Sequence, residues 1–331
     1  LLPVLLLLRH TVYLQNYYFL FLFPAPFLLL ALLADDLAAW LARRLPGSAL
    51  RHAAPLLVLA PLLLLAIWQT HLSLVRLALL DAGEIREERP LRDIQHAVDT
   101  SRAVLAAHPG CDLVVVDAGG TPESSRLGLL EPLVYPARVR LLDVGRGYIA
   151  PAGCAVYLLS VADPLLETWL AETAVRLPQQ VRTADADWRF YRVDGATADT
   201  APVLAAWQNG LALLDVQLDG TPTAGERLSL TTTWRVTAVP PAGAHYHFFN
   251  HFVDAAEHIV AQEDAPAIAA TYWQPGDRLV TQFHLQLPHD LPAGDYTIFT
   301  GMYSWPDLQR IPLANQDTRL PLLTIEIDNA P

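Results

Sequence analysis

The 331-residue chain contains no lysine, so its 22 basic residues are all arginines, set against 34 acidic residues. The formal net charge is −12. This argues against nucleic acid as a partner, because domains that bind nucleic acid carry a basic surface that neutralises phosphates. Arginine in place of every lysine is typical of a GC-rich coding sequence and indicates no mechanism.

Cysteine is nearly absent as well. The two cysteines, Cys111 and Cys154, each precede an apolar run that predicts a strand. If those strands are parallel neighbours, both thiols lie at the same end of the sheet and can form a disulfide in an oxidising compartment. The alternative is that both are small buried hydrophobic residues.

Charge is missing from Tyr17 to Ala34, a run made mostly of Leu, Phe and Ala. A helix of about 20 apolar residues crosses the hydrocarbon core of a bilayer. A helix in the core of a soluble protein would keep a polar face, and this one has none. We therefore predict a transmembrane helix over about 17–34.

A second apolar stretch begins at Ala53 and continues to about Leu80, with its uncharged part ending near Thr70. It predicts a second span over about 53–72 and a membrane region over 1–80.

The chain begins Leu-Leu-Pro-Val and its single methionine is Met302. We expect the C-terminal portion of a longer, multi-pass protein that is already inside a membrane helix at Leu1. The predicted loop between the spans contains three arginines and therefore favours the cytoplasmic side; its charged residues are Asp35, Asp36, Arg43, Arg44 and Arg51. Residues 9–16 and everything after about 80 are then extracytoplasmic.

Helices and strands alternate over 81–200, after a charged connector at 81–92. The predicted elements are a helix over 94–107, a buried strand over 112–117, a helix opened by Thr121 and Pro122, strands over 138–143, 154–161 and 188–193, and a helix over 164–174. This alternation predicts a small α/β domain, Rossmann-like, with a mostly parallel sheet.

Residues 201–331 show a different pattern, in which short runs of alternating apolar residues are separated by Pro, Gly, Asp and Asn. The runs are Ala212–Leu218, Arg227–Thr237, His245–Asp254, Ile259–Glu263, Leu279–Leu287, Tyr296–Tyr303 and Leu320–Ile327. Seven such strands with these turn residues predict an antiparallel β-sandwich.

A glycine turn follows the strand over 112–117, at Gly119 and Gly120. Such a turn invites comparison with a phosphate-binding loop. Neither Gly-x-Gly-x-x-Gly nor a Walker loop is present, so we predict a structural turn.

Three alternating histidines, His245, His247 and His251, share one face of a predicted strand. They could bind a metal if a neighbouring strand contributed Glu263 or His284. The alternative is a solvated or hydrogen-bonded histidine face that binds no metal.

Aromatic residues of the sandwich region could stack on sugar rings, although most alternate inward and are expected in the core. Trp273 and Trp305 lie next to turns and are the candidates for a glycan platform. Another candidate site precedes the first span, where Arg9, His10, Tyr13 and Gln15 could meet a lipid phosphate or a glycan. The alternative there is an ordinary interfacial belt that binds nothing.

The segment from Arg9-His10-Thr-Val-Tyr13-Leu-Gln15 to Pro24-Ala-Pro26 resembles a late transmembrane segment of bacterial GT-C glycosyltransferases. These polytopic enzymes include protein O-mannosyltransferases and lipid A aminoarabinose transferases. The downstream part is similar to the C-terminal region of many such proteins. The similar segments are 245–264, Tyr272-Trp273-Gln-Pro-Gly-Asp277 and Leu287 to Tyr303.

The resemblance implies transfer of a sugar from a polyprenyl-phosphate donor to a glycan or protein acceptor on the outer face of the bacterial plasma membrane. The catalytic acidic residue of the family lies on the first external loop, upstream of Leu1. Neither Asp35 nor Asp36 matches it, so this chain alone is expected to be catalytically silent. By position, Arg9 with His10 and Tyr13 would contact the donor phosphate. We expect no cofactor in this part of the protein and leave a divalent metal in the full-length protein open.

Two other functions stay open. One is a membrane-anchored, non-enzymatic surface protein whose sandwich binds a glycan or a protein partner. The other is part of a transporter, which is disfavoured because neither predicted span contains a charge.

Overall fold

The computed structural model of the protein describes residues 24–82, 84, 90–120, 125, 127–184, 186–195 and 201–327. The chain divides into two compact units, Leu1–Leu79 and Leu80–Pro331. The first is helical where it is described, and the second contains the β-sheets.

The described part of the first unit is formed by helix α1 (Pro24–Arg44) and helix α2 (Ser48–Asp81). A turn at residues 45–47 joins them. The prediction of a charged loop between two spans is therefore wrong. Its two aspartates and two of its arginines lie in α1, and Arg51 lies in α2. The surrounding Ala and Leu are strong helix formers, and only the Pro-Gly pair in the turn interrupts them.

Within the described part of the chain, α2 is the helix that is long and apolar enough to cross a membrane. Its apolar side chains are largely uncovered; Leu56, Leu64 and Ile67 are each more than half exposed. Apolar surface on this scale indicates association with a membrane. The predicted span over 53–72 lies inside α2, whereas the span over 17–34 begins among residues outside the described ranges.

The second unit contains, in chain order, α3 (Leu91–Ala107), β1 (Asp112–Asp117), α4 (Leu130–Leu133), β2 (Val139–Asp143), β3 (Gly147–Ala150), β4 (Ala155–Leu159), α5 (Pro164–Thr173), β5 (Val175–Arg182), β6 (Asp187–Val193), β7 (Ala205–Ala206), β8 (Leu211–Asp219), β9 (Arg227–Val236), β10 (Tyr246–Val253), β11 (Ile259–Ala265), a 3₁₀ turn (Ala270–Tyr272), β12 (Arg278–Gln286), β13 (Gly294–Ser304) and β14 (Leu320–Ile327).

The first sheet has the strand order β2-β1-β4-β6-β5. β1 pairs in parallel with β2 and β4, but β6 pairs antiparallel with both β4 and β5. The sheet is therefore mixed, and the prediction that it is mostly parallel is corrected. The reversal follows from a tight turn in which the N–H of Thr183 donates to the carbonyl of Ala186 at 3.0 Å. The predicted helix start at Thr121 and Pro122 lies outside the described residues.

Two antiparallel sheets, β11-β10-β13-β14 and β3-β12-β9-β8-β7, form the sandwich. Their inner faces meet through aromatic rings: the ring centroid of Phe248 lies 5.3 Å from that of Trp234 and 6.0 Å from that of Phe283. Each of the seven predicted runs is a strand, with ends that differ by two residues at most. Period-two alternation located these strands because one face of each packs on the core.

The sequence places a domain boundary at residue 200, but strand β3, which precedes it, pairs with a strand that follows it. It pairs antiparallel with β12, with Gly147 opposite Thr281 and Ala150 opposite Arg278. A strand from the α/β part therefore completes a sheet of the sandwich, and both parts belong to one compact unit.

A buried ion network joins the same two parts. Arg140 on β2 is 2% exposed and donates to Asp112 at 3.0 and 2.5 Å and to Asp277 at 2.6 Å. Asp277 also accepts the N–H groups of Ala152 at 2.9 Å and Gln274 at 3.1 Å. Each buried charge is therefore paired and hydrogen-bonded, as burial of charge requires.

A disulfide joins Cys111 and Cys154, whose Cα atoms lie 4.5 Å apart. These residues immediately precede the parallel strands β1 and β4, and the N–H of Asp112 donates to the carbonyl of Cys154 at 3.1 Å. The bond links the amino ends of two adjacent inner strands of the first sheet.

Candidate functional site

The side chains of strand β10 divide between the core face of its sheet and the opposite face. Phe248 and Phe252 belong to the hydrophobic core of the sandwich. Because side chains alternate along a strand, His247, Phe249 and His251 lie on the opposite side of the sheet. The sequence pattern of alternating histidine and aromatic residues thus builds one surface of the outer sheet.

Neighbouring strands extend this surface. On β13, Tyr303 lies opposite His247 and Gly301 lies opposite Phe249. On β11, Asp264 lies opposite Phe249. We name this surface the outer face and define it by His245, His247, Phe249, His251, Asp264, Tyr303, Trp305 and Arg310.

Trp305 is held at one end of the outer face. The backbone N–H of Trp305 donates to the backbone carbonyl of His245 at 2.9 Å. The indole ring stacks on His247, with centroids 4.9 Å apart and an interplanar angle of 12°. Trp305 is nevertheless 49% exposed. One side of the indole is therefore covered by imidazole, while much of the residue remains open to solvent.

The imidazole under Trp305 favours its neutral form. Burial lowers the pKa of His247 below its usual value, although Asp264 acts in the opposite direction. A neutral ring stacks on indole with little desolvation cost, whereas an imidazolium would have to lose water of hydration. Burial in the stack therefore favours the neutral imidazole.

Polar groups border the stack. The Tyr303 hydroxyl donates to the Asp264 carboxylate at 3.4 Å and lies 3.4 Å from Nδ1 of His247. Burial and the nearby Asp264 raise the pKa of Tyr303, so its hydroxyl keeps its proton. The Asp264 carboxylate also lies 3.5 Å from Nε2 of His251. A hydroxyl and a carboxylate therefore lie near His247, the residue on which the indole stacks.

Phe249 forms the buried floor of the outer face. Its ring lies against Gly301, where any Cβ would collide with it. The guanidinium of Arg310 covers the ring, with 4.8 Å between the guanidinium carbon and the ring centroid. This contact leaves the charged end of Arg310 at the surface, next to Tyr303, with which its backbone forms a β-bridge.

The structure does not bring Trp273 to this face. Trp273 is 2% exposed, its Nε1 donates to the carbonyl of Ile268 at 3.0 Å, and its ring stacks on Tyr246. A position next to a turn suggested exposure, but the ring turns inward and fills the core. A buried ring cannot serve as a platform for a glycan.

The three candidate metal ligands do not converge. His247 stacks on Trp305, His251 faces Asp264, and His245 lies at the end of the strand. Glu263 instead pairs with Arg146 and accepts the backbone N–H of His284. Across the described ranges, no group of three or more His, Cys, Asp or Glu is arranged to hold a metal ion.

The glycine turn after β1 is engaged internally. The N–H of Gly119 donates to the Asp143 carboxylate at 2.9 Å. The Asp117 carboxylate accepts the hydroxyls of Ser125 at 2.9 Å and Ser160 at 2.7 Å. Carboxylates thus lie where a phosphate would need free donors, in keeping with a structural turn.

The candidate donor-phosphate contacts, Arg9, His10, Tyr13 and Gln15, lie outside the described residues. Their role stays a prediction.

Sequence reasoning selected Trp305 and the alternating histidines but missed Asp264, Tyr303 and Arg310 as members of one site. Asp264 and Tyr303 join it through strand register, which the sequence does not specify. Tyr303 ends one predicted strand and Asp264 directly follows another, so the alternation of side chains along those strands was the available signal.

No family model and no curated protein matches the chain, so neither supports the resemblance to GT-C enzymes. Among solved structures, the chain is similar to one described as the crystal structure of the C-terminal domain of Wzt. The identity is 12%, the TM-score is 0.27, and the similarity covers 41% of this chain and 83% of that one. We draw no argument from a likeness at this level.

Proposed function

We propose that the second unit binds glycans through its outer face and that α2 anchors it to a membrane. The observation that carries this proposal is the Trp305 ring, which is stacked on His247 on one side and half exposed.

Sugar rings present apolar C–H faces that pack on aromatic surfaces, and their hydroxyls need hydrogen-bond partners around that surface. Trp305 supplies the aromatic surface, while Tyr303 and Asp264 supply polar groups. Because His247 already fixes the indole, little side-chain freedom remains to be lost on binding.

The test is a binding titration of the full chain in lipid nanodiscs. The panel contains glucose, mannose, galactose and N-acetylglucosamine and their linear oligosaccharides. Trp305→Ala should weaken binding by about thirtyfold or more, because truncating a central Trp costs about 2 kcal/mol or more. Trp305→Phe should retain part of the affinity.

The matched control is Tyr135→Ala, since Tyr135 is an 80% exposed aromatic residue of the α/β part. It should bind as the parent does. Undiminished binding by Trp305→Ala, or a parent that binds no member of the panel, would contradict the proposal.

A second candidate is that the chain is the C-terminal part of a GT-C-like glycosyltransferase. The supporting observation is the order of parts: a membrane-type helix, α2, is followed by a folded unit, as the resemblance implies. The enzyme would move a sugar from a polyprenyl-phosphate donor to a glycan or protein acceptor, with Arg9, His10, Tyr13 and Gln15 near the donor phosphate. The upstream coding sequence tests this candidate: further spans and an acidic residue in the first external loop support it, and their absence contradicts it.

We also propose a multi-pass arrangement in a bacterial plasma membrane, with residues after about 80 outside the cytoplasm. The Cys111–Cys154 disulfide supports this side, because disulfides persist in oxidising compartments. A reporter fused after Pro331 that is active only outside the cytoplasm is the expected result. Cytoplasmic activity would reverse the topology.

A further inference from the structure

We infer that a cavity beside Trp305 is a second sugar subsite, which takes the next residue of the same glycan chain. This inference rests on the proposed glycan-binding function of the outer face. The cavity has a volume of about 660 Å³, within the range of ligand pockets. Residues 239–245 and residues 269–272 line it.

The cavity is preformed by two short turns. In one turn, the N–H of Ala244 donates to the carbonyl of Pro241 at 3.0 Å, and the preceding Pro240 restricts the backbone further. In the other, the N–H of Tyr272 donates to the carbonyl of Ala269 at 3.0 Å. Walls held by such turns lose less freedom when a ligand binds than an unconstrained loop would.

The side chains of the walls explain why the space is open. Most of the lining residues are Ala, Gly or Pro, whose small side chains cannot fill the space. Tyr272 is the large residue among them, and it is only 3% exposed. His245 and Thr271 are the exposed polar members. Apolar walls with a few polar groups suit a sugar, which has apolar C–H faces and hydroxyls at its edge.

The cavity and the outer face share one residue, His245. This residue lines the cavity, and its carbonyl accepts the N–H of Trp305. The register of β10 and β13 pairs Tyr246 with Ser304, so His245 and Trp305 are the next opposed pair. Directly opposed residues lie about 5 Å apart. A ligand stacked on Trp305 therefore lies close to His245, which forms one wall of the cavity.

Chain-length dependence tests the inference. The full chain in nanodiscs is titrated with a monosaccharide from the panel and with its linear oligomers. Affinity should rise by about tenfold from one sugar to a short oligomer, the effect of one good hydrogen bond or a comparable contact. Ala242→Trp and Thr271→Trp, on opposite walls, should remove this gain and leave the affinity for the monosaccharide unchanged. The matched control, Val203→Trp, adds the same side chain at an exposed position outside the cavity and should keep the gain.

Several results would overturn the inference. If both cavity variants keep the parent's gain with length, or the parent shows no gain, the subsite is wrong while the Trp305 site stands. If Trp305→Ala binds every oligomer as the parent does, or the parent binds none, the glycan-binding function fails and the subsite fails with it.

Discussion

At the scale of single residues, Arg140 has the most consequential position. Its guanidinium is buried between Asp112 of the first sheet and Asp277 of the sandwich. Removing a buried cation leaves two carboxylates without compensation, which costs far more than an exposed ion pair is worth.

Arg140→Ala is therefore expected to lower the free energy of unfolding by about 3–5 kcal/mol. Chemical denaturation of the full chain in detergent measures the change. Arg138→Ala is the control, because Arg138 is exposed and donates to the carbonyl of Thr271 at 3.3 Å. It should cost about 1 kcal/mol or less. If the two variants lose equal free energy of unfolding, the buried network stabilises the fold no more than an exposed hydrogen bond does.

His247 makes stability depend on pH. Burial lowers its pKa in the folded state below the usual 6.5. The unfolded chain therefore takes up the proton first as the pH falls. The stabilising contribution of neutral His247 is complete above pH 6.5 and is lost as the pH falls through the lowered pKa.

The free energy of unfolding should accordingly decrease between pH 7.5 and pH 5.5, and it should decrease less in His247→Phe. Part of the decrease should persist in that variant, because burial also lowers the pKa of His284. His96→Phe, at an exposed position of α3, should follow the parent. The account of His247 is wrong if His247→Phe shows the parent's full decrease.

At the scale of elements, β3 depends on glycine. Gly147 has a φ angle of 131°, a backbone conformation that residues with a side chain rarely adopt. A Cβ there would also collide with the backbone carbonyl of Val280 on β12. This close approach lets a short strand join the edge of the sandwich sheet.

Gly147→Val is expected to destabilise the second unit by about 2–3 kcal/mol through strain and lost pairing. Denaturant unfolding followed by Trp fluorescence measures it. Gly153→Ala is the control, since a Cβ at Gly153 meets no atom within 4 Å; it should stay within about 0.5 kcal/mol of the parent. A parent-like Gly147→Val would mean that β3 is not held against β12.

The sequence located elements that have their own periodicity and missed those that depend on distant partners. Strand β1 was predicted over the residues it occupies, because a short buried run between turns is a local signal. β3 and β5 were missed. β3 is four residues long and begins with glycine, and β5 contains Pro178, which is tolerated at the edge of a sheet.

The same limit applies to the site. Alternation placed His247 on one face of a strand, and proximity to a turn selected Trp305, but only strand register brings Asp264 and Tyr303 to His247. Trp273 was misplaced because exposure next to a turn depends on tertiary packing, here against Tyr246.

At the scale of the whole molecule, α2 is the element that suggests association with a membrane. Its uncharged stretch over residues 53–70 is about 27 Å long at 1.5 Å per residue, close to the hydrocarbon thickness of a bilayer. Leu64 lies near the middle of this stretch, and Leu77 lies beyond it.

Leu64→Arg should therefore raise the free energy of insertion by about 2.5–3.5 kcal/mol. Leu77→Arg, the same change outside the stretch, should have little effect. The fraction of protein that remains in membranes after alkaline washing measures both. Equal retention of the two variants would contradict a span centred near Leu64.

The central claim is that a glycan occupies the exposed side of Trp305, and hydroxyl-radical footprinting of the full chain locates it most directly. With a glycan that binds, oxidation of Trp305 should fall strongly, while oxidation of the exposed Tyr135 should stay constant. Unchanged oxidation of Trp305 at a saturating glycan concentration would contradict the claim.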